Sequence, residues 1–256
     1  MKSDGYLYGS HQLDEDHGVP KGRAIGGFSV GVLCIDSHYP MLPGNVVNGM
    51  TYGFPVLPEV VEGVTFKMLA AANPEVMPSI AKAGQKLVRL GVRAIVGACG
   101  SFANYQKEAA AAFGVPTFMS IMMHVPLLAA SIGPNRKVGV ICAVRSAITD
   151  RVLDQVSIAD PDRMVLCEAR DLPEFRNIVE GTGHFNSRRL EQELVGLAQN
   201  FVREHPEIGV ILLQCSDLPP YAASIQQATG RPVFDMTTLV HWVHKSVVRH
   251  PFDGYC

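Results

Sequence analysis

Residues 92–118, VRAIVGACGSFANYQKEAAAAFGVPTF, recur in altered form 116 positions later as residues 208–234, IGVILLQCSDLPPYAASIQQATGRPVF. The ungapped alignment contains seven identities: Ile95 with Ile211, Cys99 with Cys215, Tyr105 with Tyr221, Ala112 with Ala228, Gly114 with Gly230, Pro116 with Pro232, and Phe118 with Phe234. A second match, offset by 108 positions, sets VGVLC at 30–34 against VGVIC at 138–142. The two matches predict two half-chains of one topology, each with a VGV strand first and a strand, a cysteine, a helix and a G-x-P-x-F strand later.

Short β-branched runs alternate with longer amphipathic stretches, which is typical of strand-helix-strand units and a mostly parallel sheet. The predicted strands are residues 30–36, 92–98, 115–119, 137–143, 164–169, 208–214 and 231–235. Residues 187–205 predict a helix whose apolar face carries Leu190, Leu194, Leu197 and Phe201. Residues 37–58 contain four prolines and three glycines, so they cannot be one regular element and predict a long, functional loop.

This organisation predicts an α/β protein of two pseudo-twofold-related lobes with the ligand between them. In open parallel sheets the carboxyl ends of the strands border the ligand crevice, and Cys99 and Cys215 both follow a strand there. The expected boundaries are a polar N-terminal extension at 1–27, a first lobe at 28–135 and a second lobe at 136–235. A C-terminal helical region at 236–256 is expected to pack back on the first lobe.

Composition excludes several classes of partner. The net charge is −2 and the 22 Lys and Arg residues form no basic run, so we expect neither nucleic acid nor a membrane as a partner. Residues 1–22 lack the apolar segment of a secretory signal, and the most apolar stretch, 117–133, is interrupted by His124 and Pro126. A cytoplasmic protein is therefore expected, and a homo-oligomer fits the composition.

The six cysteines form neither a C-x-x-C pair nor a disulfide pattern, and no metal site is expected. Four of them, Cys34, Cys142, Cys167 and Cys256, lie within apolar strands or at the last position and are interpreted as having no chemical role. Cys99 and Cys215 differ because both halves keep a thiol at the same place while the neighbouring residues change. These two are the candidate reactive groups.

The predicted position of both thiols suits proton transfer. If a helix begins directly after each cysteine, its free N–H groups lower the thiol pKa and can also hold a substrate carboxylate. One thiolate and one thiol on opposite sides of a carbon could deprotonate it on one face and protonate it on the other. Such chemistry requires no metal, pyridoxal phosphate or nicotinamide, and no cofactor is expected.

The motifs GACGSF at 97–102 and LLQCSDLPPY at 212–221 resemble the two cysteine motifs of the aspartate/glutamate/hydantoin racemase superfamily. The resemblance spans roughly residues 28–245. It implies two flavodoxin-like lobes, cofactor-independent proton transfer beside a carboxylate, and Cys99 and Cys215 as catalytic residues. It also implies that the residues after each cysteine bind the carboxylate, here Gly100, Ser101, Ser216 and Asp217.

The chain departs from the amino-acid racemases of that superfamily at these positions. Those enzymes typically follow the first cysteine with Asn-Thr and the second with Thr, whereas this chain has Gly-Ser and Ser-Asp, so glutamate racemase proper is not expected. Asp217 is similar to the acidic residue of some aspartate racemase motifs. Residues 30–56 also resemble the start of a branch that includes algal dimethylsulfoniopropionate lyases.

Four other residues are further candidates for substrate binding. Asp36 ends the first strand and could meet a cationic group, or could be a solvated acid or loop cap. Tyr39 and Asn45 lie in the long loop, where they could cover the crevice or serve only as turn residues. Arg145 follows the second VGV strand and could hold a second carboxylate or begin a solvated helix.

The leading hypothesis is a racemase or epimerase of a small carboxylic acid, such as aspartate or a derivative, that uses Cys99 and Cys215 as a two-base pair. The first alternative is a carbon-sulfur lyase that removes the α-proton of a dimethylsulfoniopropionate-like substrate and expels its β-group. A non-catalytic protein that binds small acids is a further alternative, and a thiol redox protein is the last.

Overall fold

The computed structural model describes residues 18–250 and residue 252. Most of the predicted N-terminal extension, residues 1–17, lies outside the described residues, as do Cys256 and the rest of the last four positions.

The first lobe contains a parallel sheet with the strand order β2-β1-β3-β4. Its strands are β1 (Val30–Cys34), β2 (Val56–Val60), β3 (Ala94–Gly97) and β4 (Thr117–Phe118). Every residue of β1 and β3 is buried, as expected for central strands covered on both faces.

The second lobe repeats this arrangement with the order β6-β5-β7-β8. Its strands are β5 (Lys137–Cys142), β6 (Met164–Glu168), β7 (Ile208–Leu213) and β8 (Val233–Phe234). The registers agree as well, because Val30 pairs with Val56 and Ala94, while Val138 pairs with Met164 and Val210. The predicted fold class, two α/β lobes of one topology, is confirmed.

Helices connect and cover the strands. They are α1 (Phe66–Ala70), α2 (Met77–Leu90), α3 (Gln106–Phe113), α4 (Val125–Ser131), α5 (Asp150–Gln155), α6 (Pro173–Glu180), α7 (Ser187–Glu204), α8 (Ala222–Thr229) and α9 (Met236–Val247). The predicted long helix is α7, which begins at an Asn186 side-chain cap and buries Leu190, Leu194 and Phe201. None of the helices in the described part of the chain is long and apolar enough to cross a bilayer.

One of the hydrophobic clusters joins the two lobes. It contains Val32 and Val96 from the first sheet, Val140 and Leu212 from the second, and Leu239 from α9. The other two clusters lie on the remaining faces of the two sheets. Because α9 packs against β1 and β3, the last helix of the chain covers the sheet of the first lobe.

Two local expectations need correction. The end of the proline-rich segment is not loop, because β2 begins at Val56 and includes Pro58, which an edge strand can accommodate. The predicted α-helices also do not start directly after the two cysteines. A buried 3-10 helix, Gly100–Tyr105, follows Cys99, and a turn followed by a 3-10 helix, Pro219–Tyr221, follows Cys215.

Candidate active site

The two candidate cysteines occupy equivalent positions at the carboxyl ends of the central strands. The amide of Ala98 donates to the Leu33 carbonyl at 2.7 Å, and the amide of Gln214 donates to the Ile141 carbonyl at 2.9 Å. Each bond extends the parallel pairing by one residue. The next residue, Cys99 or Cys215, therefore lies at the carboxyl end of the sheet. The carbonyl of each cysteine then accepts a hydrogen bond from the backbone amide three residues later in the chain.

Hydrogen-bond donors surround the sulfur of Cys99. The backbone N–H and hydroxyl of Ser101 and the backbone N–H of Phe102 all act to lower its pKa. Ser101 is buried, and the Asn104 amide donates to its carbonyl at 3.4 Å and to the Leu69 carbonyl at 3.0 Å. The loop after Cys99 is therefore fixed in a conformation that favours a negative sulfur.

Cys215 has an acceptor beside it instead. Its thiol donates to Oδ2 of Asp217 at 3.4 Å, and Asp217 is only 9% exposed. The other carboxylate oxygen, Oδ1, accepts from the Tyr39 hydroxyl at 2.7 Å and from the Asn45 amide at 2.6 Å. Asp217 thus connects the second cysteine to the long loop of the first lobe.

The loop is built to present Asn45 in one orientation. The Asn45 side-chain oxygen accepts from the Val47 amide at 3.0 Å, so its nitrogen faces Asp217. Gly44 has φ +100° and lies so close to Pro220 that a Cβ there would come within 2.8 Å of the Pro220 Cα. Gly44 therefore permits the close approach by which this loop covers the second lobe. Tyr39 and Asn45 thus both contact Asp217, and their role in substrate binding stays a prediction.

Burial dominates the ionisation of the site. Burial raises the pKa of Cys99 to about 11 despite the three donors, and the charge of Asp217 adds to the rise. Burial also raises the pKa of Cys215 well above its usual value, followed by the Asp217 charge and a smaller effect of Cys99. The expected lowering of the thiol pKa values is therefore wrong as a net effect, although backbone donors act in that direction on both sulfurs.

Gln214 is a site residue that the sequence reasoning missed. A Cβ built on Gly100 would lie 1.9 Å from the Gln214 side-chain nitrogen, so the amide of the second lobe packs directly over Gly100 of the first. The available signal was its position immediately before Cys215, opposite Ala98 in the repeat alignment.

Most of the predicted site residues lie together around Asp217, and two of them lie elsewhere. Cys99, Cys215 and Tyr39 act electrostatically on one another around Asp217, and Gly100, Ser101 and Ser216 are buried beside the two thiols. Asp36 is exposed and acts on the pKa of Cys34, while Arg145 is exposed and lies beside Glu168 and the strand cysteines Cys142 and Cys167. No contact brings Asp36 or Arg145 to this cluster within the described residues.

Solved structures with the same architecture identify the class of fold. Unliganded arylmalonate decarboxylase aligns with a TM-score of 0.58 and 15% identity, over 88% of this chain and 96% of that chain. Aspartate racemase from Picrophilus torridus aligns with a TM-score of 0.55 and 15% identity, over 86% and 94% of the two chains. The chain has the two-lobed fold of these racemases and decarboxylases.

Sequence relatives place the chain within that class. It is 30% identical to the dimethylsulfoniopropionate lyase of Durusdinium sp. clade D, over 88% of this chain and 77% of the relative. It is also 30% identical to dimethylsulfoniopropionate lyase 5 of Emiliania huxleyi, of which it spans 47%. No family model matches the chain. The chain belongs to the dimethylsulfoniopropionate lyase family, and the predicted resemblance to the racemase superfamily that includes these lyases is confirmed.

Proposed function

We propose that this chain is a carbon-sulfur lyase that converts a β-sulfonium propionate such as dimethylsulfoniopropionate into acrylate and dimethyl sulfide. Family membership supports this reaction over others of the same fold. The observation in the site that carries the proposal is the buried Asp217, whose pKa is raised by burial and lowered only by its neutral hydrogen-bond donors Tyr39, Cys215 and Asn45.

A buried carboxylate without a cation favours a cationic ligand. Among the described residues, no lysine or arginine contacts Asp217 or contributes to its pKa. A positive sulfonium against Asp217 supplies the missing charge, and the neutral donors at Ser101 and Phe102 suit the substrate carboxylate. The charge pattern of the site thus matches a zwitterion with one group of each sign.

Cys99 is the proposed base. Three donors favour its thiolate, whereas burial and the charge of Asp217 oppose it. A sulfonium bound at Asp217 offsets that charge, so the positive end of the substrate favours ionisation of Cys99. The thiolate takes the α-proton, the C–H electron pair forms the new double bond, and the C–S pair leaves with neutral dimethyl sulfide.

The loop of the first lobe covers Asp217. A cavity of about 10 Å³, room for about one water molecule, lies between Tyr39 and Asn45 of the loop and Asp217 of the second lobe, and neither cysteine lines it. Because Tyr39 and Asn45 already occupy Oδ1 of Asp217, binding of the proposed sulfonium at that oxygen would require this loop to move, in the manner of an active-site lid.

The experiment measures dimethyl sulfide by headspace gas chromatography and acrylate by liquid chromatography after incubation with dimethylsulfoniopropionate. Cys99→Ser is expected to reduce the rate by about 100-fold or more, the usual contribution of a general base. Cys215→Ser is expected to cost less, because elimination needs one base. Cys167→Ser, in β6, is the matched control and should retain full activity. Absence of both products from the unaltered protein would refute the lyase.

A racemase or epimerase of a small acid is the second candidate, favoured by the equivalent positions of the two thiols. It predicts deuterium at the substrate α-carbon in D2O without loss of a β-group, and equal inactivation by Cys99→Ser and Cys215→Ser. A panel of enantiopure amino acids, with aspartate first, tests it. A binding protein would bind one of these acids without exchange or product.

A further inference from the structure

The side chain of Gln214 is buried between the two cysteine loops without a protein partner. Gln214 is 6% exposed, and its side-chain amide makes no hydrogen bond within residues 18–250 and 252, yet its amide atoms are not among the fully enclosed polar atoms that lack a partner. The amide therefore keeps some contact with solvent, where water can serve as its partner. A ligand that replaces this water between the two cysteine loops can accept the hydrogen bonds of the amide.

The packing at Gly100 shows where this amide points. A Cβ on Gly100 would lie 1.9 Å from the side-chain nitrogen, 2.2 Å from the amide carbon and 2.6 Å from the amide oxygen of Gln214. The whole amide group consequently covers the residue that follows Cys99, although its own backbone belongs to the strand end that carries Cys215. The side chain crosses from one lobe to the other.

The repeat alignment shows that this feature exists in one lobe only. Ala98 is the equivalent of Gln214, and Gly100 is the equivalent of Ser216. The first lobe thus has small residues on both sides of its cysteine, where the long side chain from the second lobe needs space. The two halves are complementary at this point rather than identical.

We propose that Gln214 is a substrate-binding residue whose amide N–H donates to the substrate carboxylate above Gly100. This inference rests on the proposed function in that it assigns the donor for the carboxylate of the same substrate. An ionised carboxylate only accepts hydrogen bonds, so it fits the two N–H donors of the amide beside the donors of the Cys99 loop. The bond also fixes which end of a zwitterion faces Cys99.

The test measures binding of propionate and of propionamide by ligand-observed NMR, so it does not depend on turnover. Gln214→Met keeps the size of the side chain and removes its donors. We expect it to weaken propionate binding by about 10-fold or more, as for a hydrogen bond to a charged group, and to leave propionamide binding within about twofold. Gln214→Glu should weaken propionate binding further through like-charge repulsion. Gln227→Met, on the exposed side of α8, is the matched control.

The outcomes separate this inference from the proposed lyase. Loss of propionate binding in Gln214→Met supports the inference even if the unaltered protein releases no dimethyl sulfide. Propionate binding within twofold of the unaltered protein, or equal losses for propionate and propionamide, would overturn it while leaving the lyase intact. Failure of the unaltered protein to bind propionate would overturn it as well.

Discussion

Replacing Asp217 with asparagine tests the electrostatic basis of the proposed reaction. In the structure Oδ1 of Asp217 accepts from Tyr39 and Asn45, so the asparagine oxygen can keep both bonds while its nitrogen faces Cys215. The substitution removes one buried negative charge and changes little else. We expect two effects of opposite sign, namely more reactive thiols and weaker binding of a cationic substrate.

The size of the second effect follows from Coulomb's law. A sulfonium in contact with the carboxylate, about 4 Å away, gains about 4 kcal/mol at an effective dielectric constant of about 20. If desolvation and ordering of the ligand cancel up to half of that, about 2 to 4 kcal/mol remains. The KM for dimethylsulfoniopropionate should therefore rise by about 30- to 1,000-fold in Asp217→Asn.

The assay compares this KM with the inhibition constant of 4-methylpentanoate, which has the same shape but a neutral carbon in place of the sulfonium. The inhibition constant should stay the same or fall, because the uncharged isostere loses no attraction. Iodoacetamide alkylation of the thiols at pH 8 should become faster, since the Asp217 charge raises the pKa of both Cys99 and Cys215. Asp171→Asn, at an exposed carboxylate, is the control. A KM within threefold of the unaltered value, or slower alkylation, would refute this reasoning.

Three further predictions concern pH and stability. Because burial raises the pKa of Cys99 to about 11, kcat/KM should rise about tenfold per pH unit between pH 7 and 9, and a plateau below pH 8 would contradict Cys99 as the base. Tyr39→Phe removes a donor that lowers the pKa of Asp217, and the pKa of Asp217 should therefore rise. Because more of Asp217 is then protonated at low pH, a pH profile should show a greater loss of kcat/KM at pH 6 than at pH 9. In urea unfolding, Gly84→Ala should lower the free energy of unfolding by about 1 to 3 kcal/mol, because its Cβ would lie 2.2 Å from an aromatic ring of α3. For comparison, the Cβ of Gly196→Ala in α7 meets nothing within 4 Å, so this substitution should raise that free energy by about 0.5 to 1 kcal/mol. Equal effects of the two substitutions would contradict the packing argument.

The fold was predictable because its two lobes arise from an internal repeat that is visible in the sequence. Equivalent strands of the two lobes are separated by the same offsets of 108 and 116 residues as the sequence alignment, beginning with β1 and β5 and ending with β4 and β8. Strand β2 was hidden because an edge strand pairs on one side only and can contain Pro58, so it lacks the buried run that marked the central strands. The 3-10 helix after Cys99 was hidden for a different reason, since helix type at a strand end depends on tertiary packing.

The site was predictable at the cysteines and less so around them. Position in the repeat marked Cys99 and Cys215, but the partners of Asp217 come from a loop more than 170 positions away, which no local pattern reveals. The direction in which the thiol pKa values shift could not be predicted from the sequence either, because burial raises them while backbone donors lower them. The position of Gln214 before Cys215 was visible in the repeat, but that position does not show that its side chain reaches Gly100 of the other lobe.

The differences between the two halves bear on the choice of reaction. Ser101 donates to Cys99, whereas its repeat equivalent Asp217 accepts from Cys215, so equivalent positions favour a thiolate in one lobe and a thiol in the other. A racemase runs in both directions and needs either thiol to serve as base, which a fixed difference of this kind opposes. An elimination has one direction, uses one base and yields a product without a stereocentre. The asymmetry around an otherwise twofold scaffold therefore favours the proposed lyase over a racemase, and comparing the rates of Cys99→Ser and Cys215→Ser tests this preference directly.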